Sequence, residues 1–142
     1  MDDKAKAGVG KVTNLEYSAA SDAGTRIELK IPGRPDYVVV VRLTAAAVAG
    51  RMGLSYDDIE DLKVAVGEAC SAAILTGAPA VGVSFIIAKD RLEVQITHRA
   101  AKSARSPDTE LNRLLMQVLM DEVETRAHGT EHVTRMVKRI AR

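Results

Sequence analysis

From Thr25 to Ile31 hydrophobic and polar positions alternate. Ile27, Leu29 and Ile31 take one side, and Arg26, Glu28 and Lys30 take the other. That alternation predicts a half-buried strand, ended by Pro32-Gly33-Arg34-Pro35 because proline cannot donate to a ladder. The period then lengthens. Asp36 is the expected cap of a helix running to about Met52, with Tyr37, Val40, Val41, Thr44, Ala47 and Val48 on one face and Gly53 closing it. Ser55-Tyr56-Asp57-Asp58 has capping-box spacing and opens a second helix, whose acidic first turn suits the helix dipole. Ile59, Leu62, Val66, Ala69, Cys70 and Ala73 point inward along it, and Gly77-Ala78-Pro79 stops it.

Two further alternating runs follow, Val81-Val83-Phe85-Ile87 and Leu92-Val94-Ile96, joined by a hairpin loop at Lys89-Asp90-Arg91. His98 to Pro107 reads as a polar loop. A third helix is expected from Asp108 to Glu124, burying Leu111, Leu114, Leu115, Val118, Leu119 and Val123. His128-Gly129-Thr130 turns the chain into a last strand, Val133 to Ile140. The predicted order is β-α-α-β-β-α-β. It implies an α/β two-layer sandwich, with a mixed, mostly antiparallel sheet covered on one face by three helices. Residues 1–24 are polar and without lasting periodicity, so they are expected to form a mobile leader, with a short strand at Val12–Tyr17. Residues 25–142 are expected to form a single domain.

Composition narrows the function classes. With 46% hydrophobic but only 3% aromatic residues, the core must be built from aliphatic side chains and methionine. A net charge of +1 gives no general pull toward nucleic acid or membrane. The single cysteine, Cys70, excludes an internal disulfide and suits a reducing cytoplasmic setting; at a core-facing helical position it reads as a small buried hydrophobe. No signal segment opens the chain and no run approaches membrane-spanning length. His98, His128 and His132 lack metal-ligand spacing and read as loop histidines. Arg135, Lys138, Arg139 and Arg142 make a basic end, but without interleaved aromatics they read as a solvated strand edge, with no direct nucleic-acid contact.

The stretch IPGRPDYVVVVRLTAAAVAGRMGLSYDDIEDLKVAVGEAC, Ile31 to Cys70, resembles the start of the anti-sigma factor serine/threonine kinases of the RsbW type, and LLMQVLMDEVE, Leu114 to Glu124, resembles their late helix. The resemblance implies the gyrase–histidine kinase–MutL, or Bergerat-type, histidine-kinase-like ATPase fold. It implies proteins that bind a sigma factor and phosphorylate a serine of a STAS-type anti-anti-sigma antagonist, using ATP and Mg²⁺. It also implies a homodimer, formed through the sheet edge and the first helices.

Each ATP-handling position of that family can be located here. The first box, Glu-Ala-Cys-x-Asn-Ala, falls on Glu68-Ala69-Cys70-Ser71-Ala72-Ala73. Its Glu activates a nucleophile and its Asn holds the metal, but Ala72 offers a methyl group where a hard cation needs oxygen. The second box, Asp-x-Gly, whose Asp bonds the adenine amino group, falls on His98 and Ala100. The third, a Gly-rich turn wrapping the phosphates, falls on Glu110-Leu111-Asn112-Arg113, where both glycines are replaced and Glu110 would repel phosphate. Metal, adenine and phosphate contacts are thus all altered. The expected function is an anti-sigma factor-like binding protein that needs no cofactor, with Glu68 a vestigial catalytic residue and no metal site. The alternative is an active serine/threonine kinase with ATP and Mg²⁺. The resemblance also assigns Arg42 of the first helix to partner contact, although an exposed arginine lying along the helix surface fits the residues equally well.

Overall fold

The computed structural model describes residues 25–100 and 109–140. The expected leader, the Val12–Tyr17 strand, residues 101–107 of the polar loop and Arg142 lie outside them.

The first strand, β1 (Thr25–Pro32), leads into a single 3₁₀ turn (Pro35–Tyr37) and then helix α1 (Val38–Arg51). Asp36 does not cap this helix. Pro35 occupies the first turn, so Asp36 falls inside it and its carboxylate faces the Arg34 guanidinium at 3.3 Å. The buried face is Val38, Val41, Ala45, Val48 and Ala49, whereas Tyr37, Val40 and Ala47 point outward. Four consecutive valines satisfy either stripe, and the early turn selects this one.

Helix α2 (Tyr56–Leu75) starts as predicted: Ser55 Oγ accepts the Asp58 N–H at 3.1 Å. Leu62, Ala65, Val66, Ala69, Cys70 and Ala73 are buried along it. Strands β2 (Ala80–Ile87) and β3 (Arg91–Arg99) form the expected hairpin, closed by the Ala88 N–H to the Arg91 carbonyl at 3.0 Å. His98 therefore lies in a strand and not in a loop.

The C-terminal third departs from expectation. Helix α3 spans Thr109–Leu119, and a further strand, β4 (Glu122–His128), precedes β5 (Glu131–Arg139). The helix does not continue to Glu124, because the Asp121 N–H pairs with the Val137 carbonyl at 2.9 Å while its carboxylate accepts the Arg139 N–H at 2.6 Å. Its orientation is turned as well. Met116 and Met120 are buried, whereas Leu111, Leu114 and Val118 are 63%, 58% and 73% exposed. Three of the six expected positions therefore face outward, whereas Leu115 is half-buried and Leu119 and Val123 pack against the core. A two-residue turn with Gly129 at φ +64° joins β4 to β5; that left-handed conformation suits glycine.

The sheet order is β1-β2-β3-β5-β4, and all four pairings are antiparallel, so the parallel pair of a mixed sheet is absent among the described strands. The helices cover one face, with α2 packed on β2, β3 and β5 and between α1 and α3. Strand β5 is interior, so its cations are not a solvated edge. On the face away from the helices Arg135 meets Glu93, Glu122 and Glu124 at 3.0–3.1 Å. On the helix side the Lys138 ammonium donates to the Leu119 carbonyl at 2.7 Å, with Asp58 and Asp61 at 3.6 and 3.8 Å.

Lys138→Met keeps the stem's volume and removes the charged donor. A hydrogen bond to a charged group is worth about 1.5–3 kcal/mol, so this variant is expected to lose about 2 kcal/mol in urea unfolding. Ser55→Ala, which removes only a cap, is expected to lose about 1 kcal/mol.

Candidate nucleotide and partner site

Three neighbouring elements carry the positions singled out above. Helix α2 presents Glu68 and Ala72 one turn apart on a half-exposed flank, His98 lies next to last in β3, and Glu110 sits in the first turn of α3. Because α2 packs against both β3 and α3, the fold brings these elements together. Glu68 has neither a hydrogen-bond nor an ion-pair partner among the described residues, so water solvates its carboxylate. Ala72 supplies no ligand atom. Glu110 is exposed and Asn112 half-buried, and the Ala100 N–H is taken by the Thr130 carbonyl at 2.8 Å.

His98 is not isolated. Cross-strand register places it opposite His132, and the two rings stack at 5.0 Å between centroids with planes 8° apart. Burial, and then the neighbouring His132, hold the His98 imidazole down at about 4, so it is neutral at physiological pH. Its Nδ1 is buried without a hydrogen-bond partner among the described residues. Neither His98 nor His132 is a loop histidine. Among the described residues no cluster of three or more His, Cys, Asp or Glu side chains could hold a metal ion.

Arg42 crosses from α1 to α2. It is exposed, yet its guanidinium lies over Gly67: a Cβ there would stand 2.5 Å from Arg42 Nε and 2.9 Å from Cζ. The missing side chain at Gly67, next to Glu68, makes the notch in which Arg42 rests. The guanidinium has no hydrogen-bond or ion-pair partner among the described residues. Its field lowers the affinity of Cys70 for its proton, but burial outweighs it and the thiol stays at about 12, unreactive. Sequence reasoning missed Gly67 because its value lies in contact with a residue 25 positions earlier (67 − 42). The His98–His132 pair was missed because the sequence pattern puts His98 at the start of a loop and begins the last strand at Val133, one residue past His132.

A folded-state value below the ordinary 6.5 means that the unfolded chain protonates first at His98. The stability held by neutral His98 is thus fully present above pH 6.5, falls as pH drops toward about 4, and levels off below that. Urea midpoints from pH 7 to pH 4 are expected to decline less steeply in His98→Phe than in the unmodified chain. Identical slopes would mean that this ring does not titrate as described.

The histidine kinase-like ATPase domain model matches residues 31–138, from the end of β1 to Lys138 in β5. The chain is 38% identical over 128 residues to the serine-protein kinase RsbW of Bacillus pumilus, covering 72% of this chain and 79% of that protein. It is 36% identical over 126 residues to that of Bacillus subtilis, again covering 72% and 79%. The fold also superimposes on a Mycobacterium tuberculosis structure of RsbU and RsbW domains with a TM-score of 0.69 at 13% identity, over 83% of this chain and 33% of that one. The helix with Glu68, the histidine-bearing strand and the late helix all lie within the matched span, and the chain belongs to the histidine kinase-like ATPase domain family, with RsbW proteins as its relatives.

Proposed function

We propose that this protein is an anti-sigma factor-like regulator that binds a sigma factor, or a STAS-type anti-anti-sigma antagonist, by surface complementarity and without ATP. It works in the cytoplasm as a homodimer. The observation that carries this reading is Ala72, one turn beyond Glu68 on the same flank of α2. The family's ATP and Mg²⁺ need an oxygen ligand there, and a methyl group has none. The charge of Glu110 at the start of α3 and the neutral, stacked ring of His98 weigh the same way. These residues do not fit a magnesium nucleotide. Arg42 is the partner contact: its guanidinium is held on Gly67, accessible, with its donors uncommitted among the described residues.

The second reading, an active serine/threonine kinase, is favoured by Glu68, whose solvated carboxylate remains available as a general base. Among the described residues no helix is long and apolar enough to cross a membrane, which agrees with a regulator that meets its partners in solution.

A ligand at one hundred times its Kd stabilises the native state by about 2.7 kcal/mol, a shift of several degrees in Tm. Millimolar Mg-ATP is expected to leave the melting curve unmoved, in the unmodified chain and in Ala72→Asn alike. Calorimetric binding of ATP in the micromolar range would favour the kinase. With a sigma factor or antagonist captured, Arg42→Ala is expected to weaken binding by about 2 kcal/mol or more while changing fold stability by less than about 0.5 kcal/mol. Unchanged affinity would remove Arg42 from the contact surface.

A further inference from the structure

The helices cover one face of the sheet. On the other face Arg26, Ile86, Glu93, Val137 and Glu122 form one row across the five strands. No described helix lies over this face, yet Ile86, Glu93, Gln95, Val133 and Val137 are each 2% exposed or less. Ile86, Val133 and Val137 do not belong to the core cluster between sheet and helices. On a bare face a long polar side chain can lie across a small neighbour, but here the long neighbours are themselves buried. Glu93 pairs with Arg135 at 3.1 Å, and Gln95 Nε2 donates to Glu93 Oε2 at 2.6 Å. Taking such a pair out of water is costly, and a bare face would leave it hydrated. Gln95 Oε1 is buried with no hydrogen-bond partner among the described residues, an acceptor open to a donor from a covering segment. At the margins Glu28 and Lys30 of β1 and Glu124 and Arg126 of β4 are exposed, so the hidden patch spans β2, β3 and β5.

This burial is found in a single chain, so the cover is part of the chain itself. Three stretches lie outside the described residues: 1–24, 101–108 and 141–142. The last is too short to hide five side chains. Residues 101–108 join Ala100 to α3, which starts near the Ala100 end of the sheet: Arg113 reaches Thr125, and Leu119 at the end of the helix reaches Lys138. From Ala100 back to Glu93 is about 23 Å of strand. A loop that went to that row and returned would need about 46 Å, whereas nine links span at most about 32 Å. Residues 1–24 meet no such limit. They enter at Thr25, next to Arg26 of the same row. Residues 18–24, all small or polar, alone reach about 23 Å, against about 14 Å for the three strand spacings from β1 to β5. Ahead of them Val12, Leu15 and Tyr17 supply apolar side chains. We propose that residues 1–24 lie across the helix-free face of the sheet, with residues 12–17 over Ile86, Val133 and Val137. The chain then fills both faces of its own sheet, and partners are left the helix layer, where Arg42 sits, and the sheet edges. The inference does not depend on whether ATP binds.

Thiol labelling of the full chain tests this. Cys70 is buried and unreactive, so it reports global opening. Val137→Cys sets a second thiol on the hidden face with little change of volume. Iodoacetamide labelling of both positions is read by peptide mass spectrometry. With residues 1–24 unaltered, both thiols are expected to be protected. Val12→Asp, Leu15→Asp and Tyr17→Asp combined are expected to speed labelling at position 137 by about tenfold or more while Cys70 stays as slow as before, since a local cover opens without the fold. Fast labelling at position 137 in the unaltered leader background overturns the proposal. So does a rate there that the three leader substitutions leave unchanged, or raise only in step with Cys70. Protection at position 137 that falls on dilution would assign the cover to a second copy, and the proposal would fall.

Discussion

One ammonium group joins the last strand to both of its neighbouring helices. Lys138 leaves β5 on the helix side of the sheet, opposite Leu92, and reaches the last carbonyl of α3 as well as the acids of the first turn of α2. The charge thus answers two helix ends that need opposite things. The C-terminal carbonyls of α3 lack partners, and the acids that favour the start of α2 leave net negative charge there. Because α3 stops where Lys138 holds it, Asp121 can turn and β4 can begin. The position of Glu110 at the other end of α3, and of Glu68 midway along α2, follows from that anchoring.

Most of the scaffold was legible in the sequence because its signals were local. The alternation of β1, β2 and β3 and the Ser55 cap depend on near neighbours, and each was found where the pattern placed it. The failures arose where two readings shared one pattern. Leucines and methionines at helical spacing in α3 define two overlapping stripes, and only contact with α2 and the sheet selects Met116 and Met120. Strand β4 was hidden for another reason. Its alternation is Val123, Thr125 and Ala127 against charged residues, a weak hydrophobic signal adjoining a strong helical one. The site divided in the same way. Glu68, Ala72, His98 and Glu110 were placed by resemblance to a family. The Gly67 notch and the His98–His132 stack arise only from packing and register.

The region around Glu68 combines a water-exposed carboxylate with groups of low reactivity. The thiol of Cys70 is held protonated by burial, and the imidazole of His98 is held neutral by burial and by its neighbour. A phosphoryl-transfer site needs groups that stabilise developing negative charge, and its power lies in such electrostatics. Arg42 rests beside Gly67, next to Glu68 in sequence, on the side of α2 that meets α1.

The interior place of β5 also has a consequence for biosynthesis. Strands β1, β2 and β3 with their two helices can pair as they emerge from the ribosome, but β4 has no partner among the described strands until β5 follows it. Strand β5 must then pair with β3 on one side and β4 on the other, closing the sheet from within. Contacts that bridge such long stretches of chain form slowly. Until Arg139 has cleared the exit tunnel the nascent protein carries an unfinished sheet with β3 exposed, the kind of intermediate that chaperones guard.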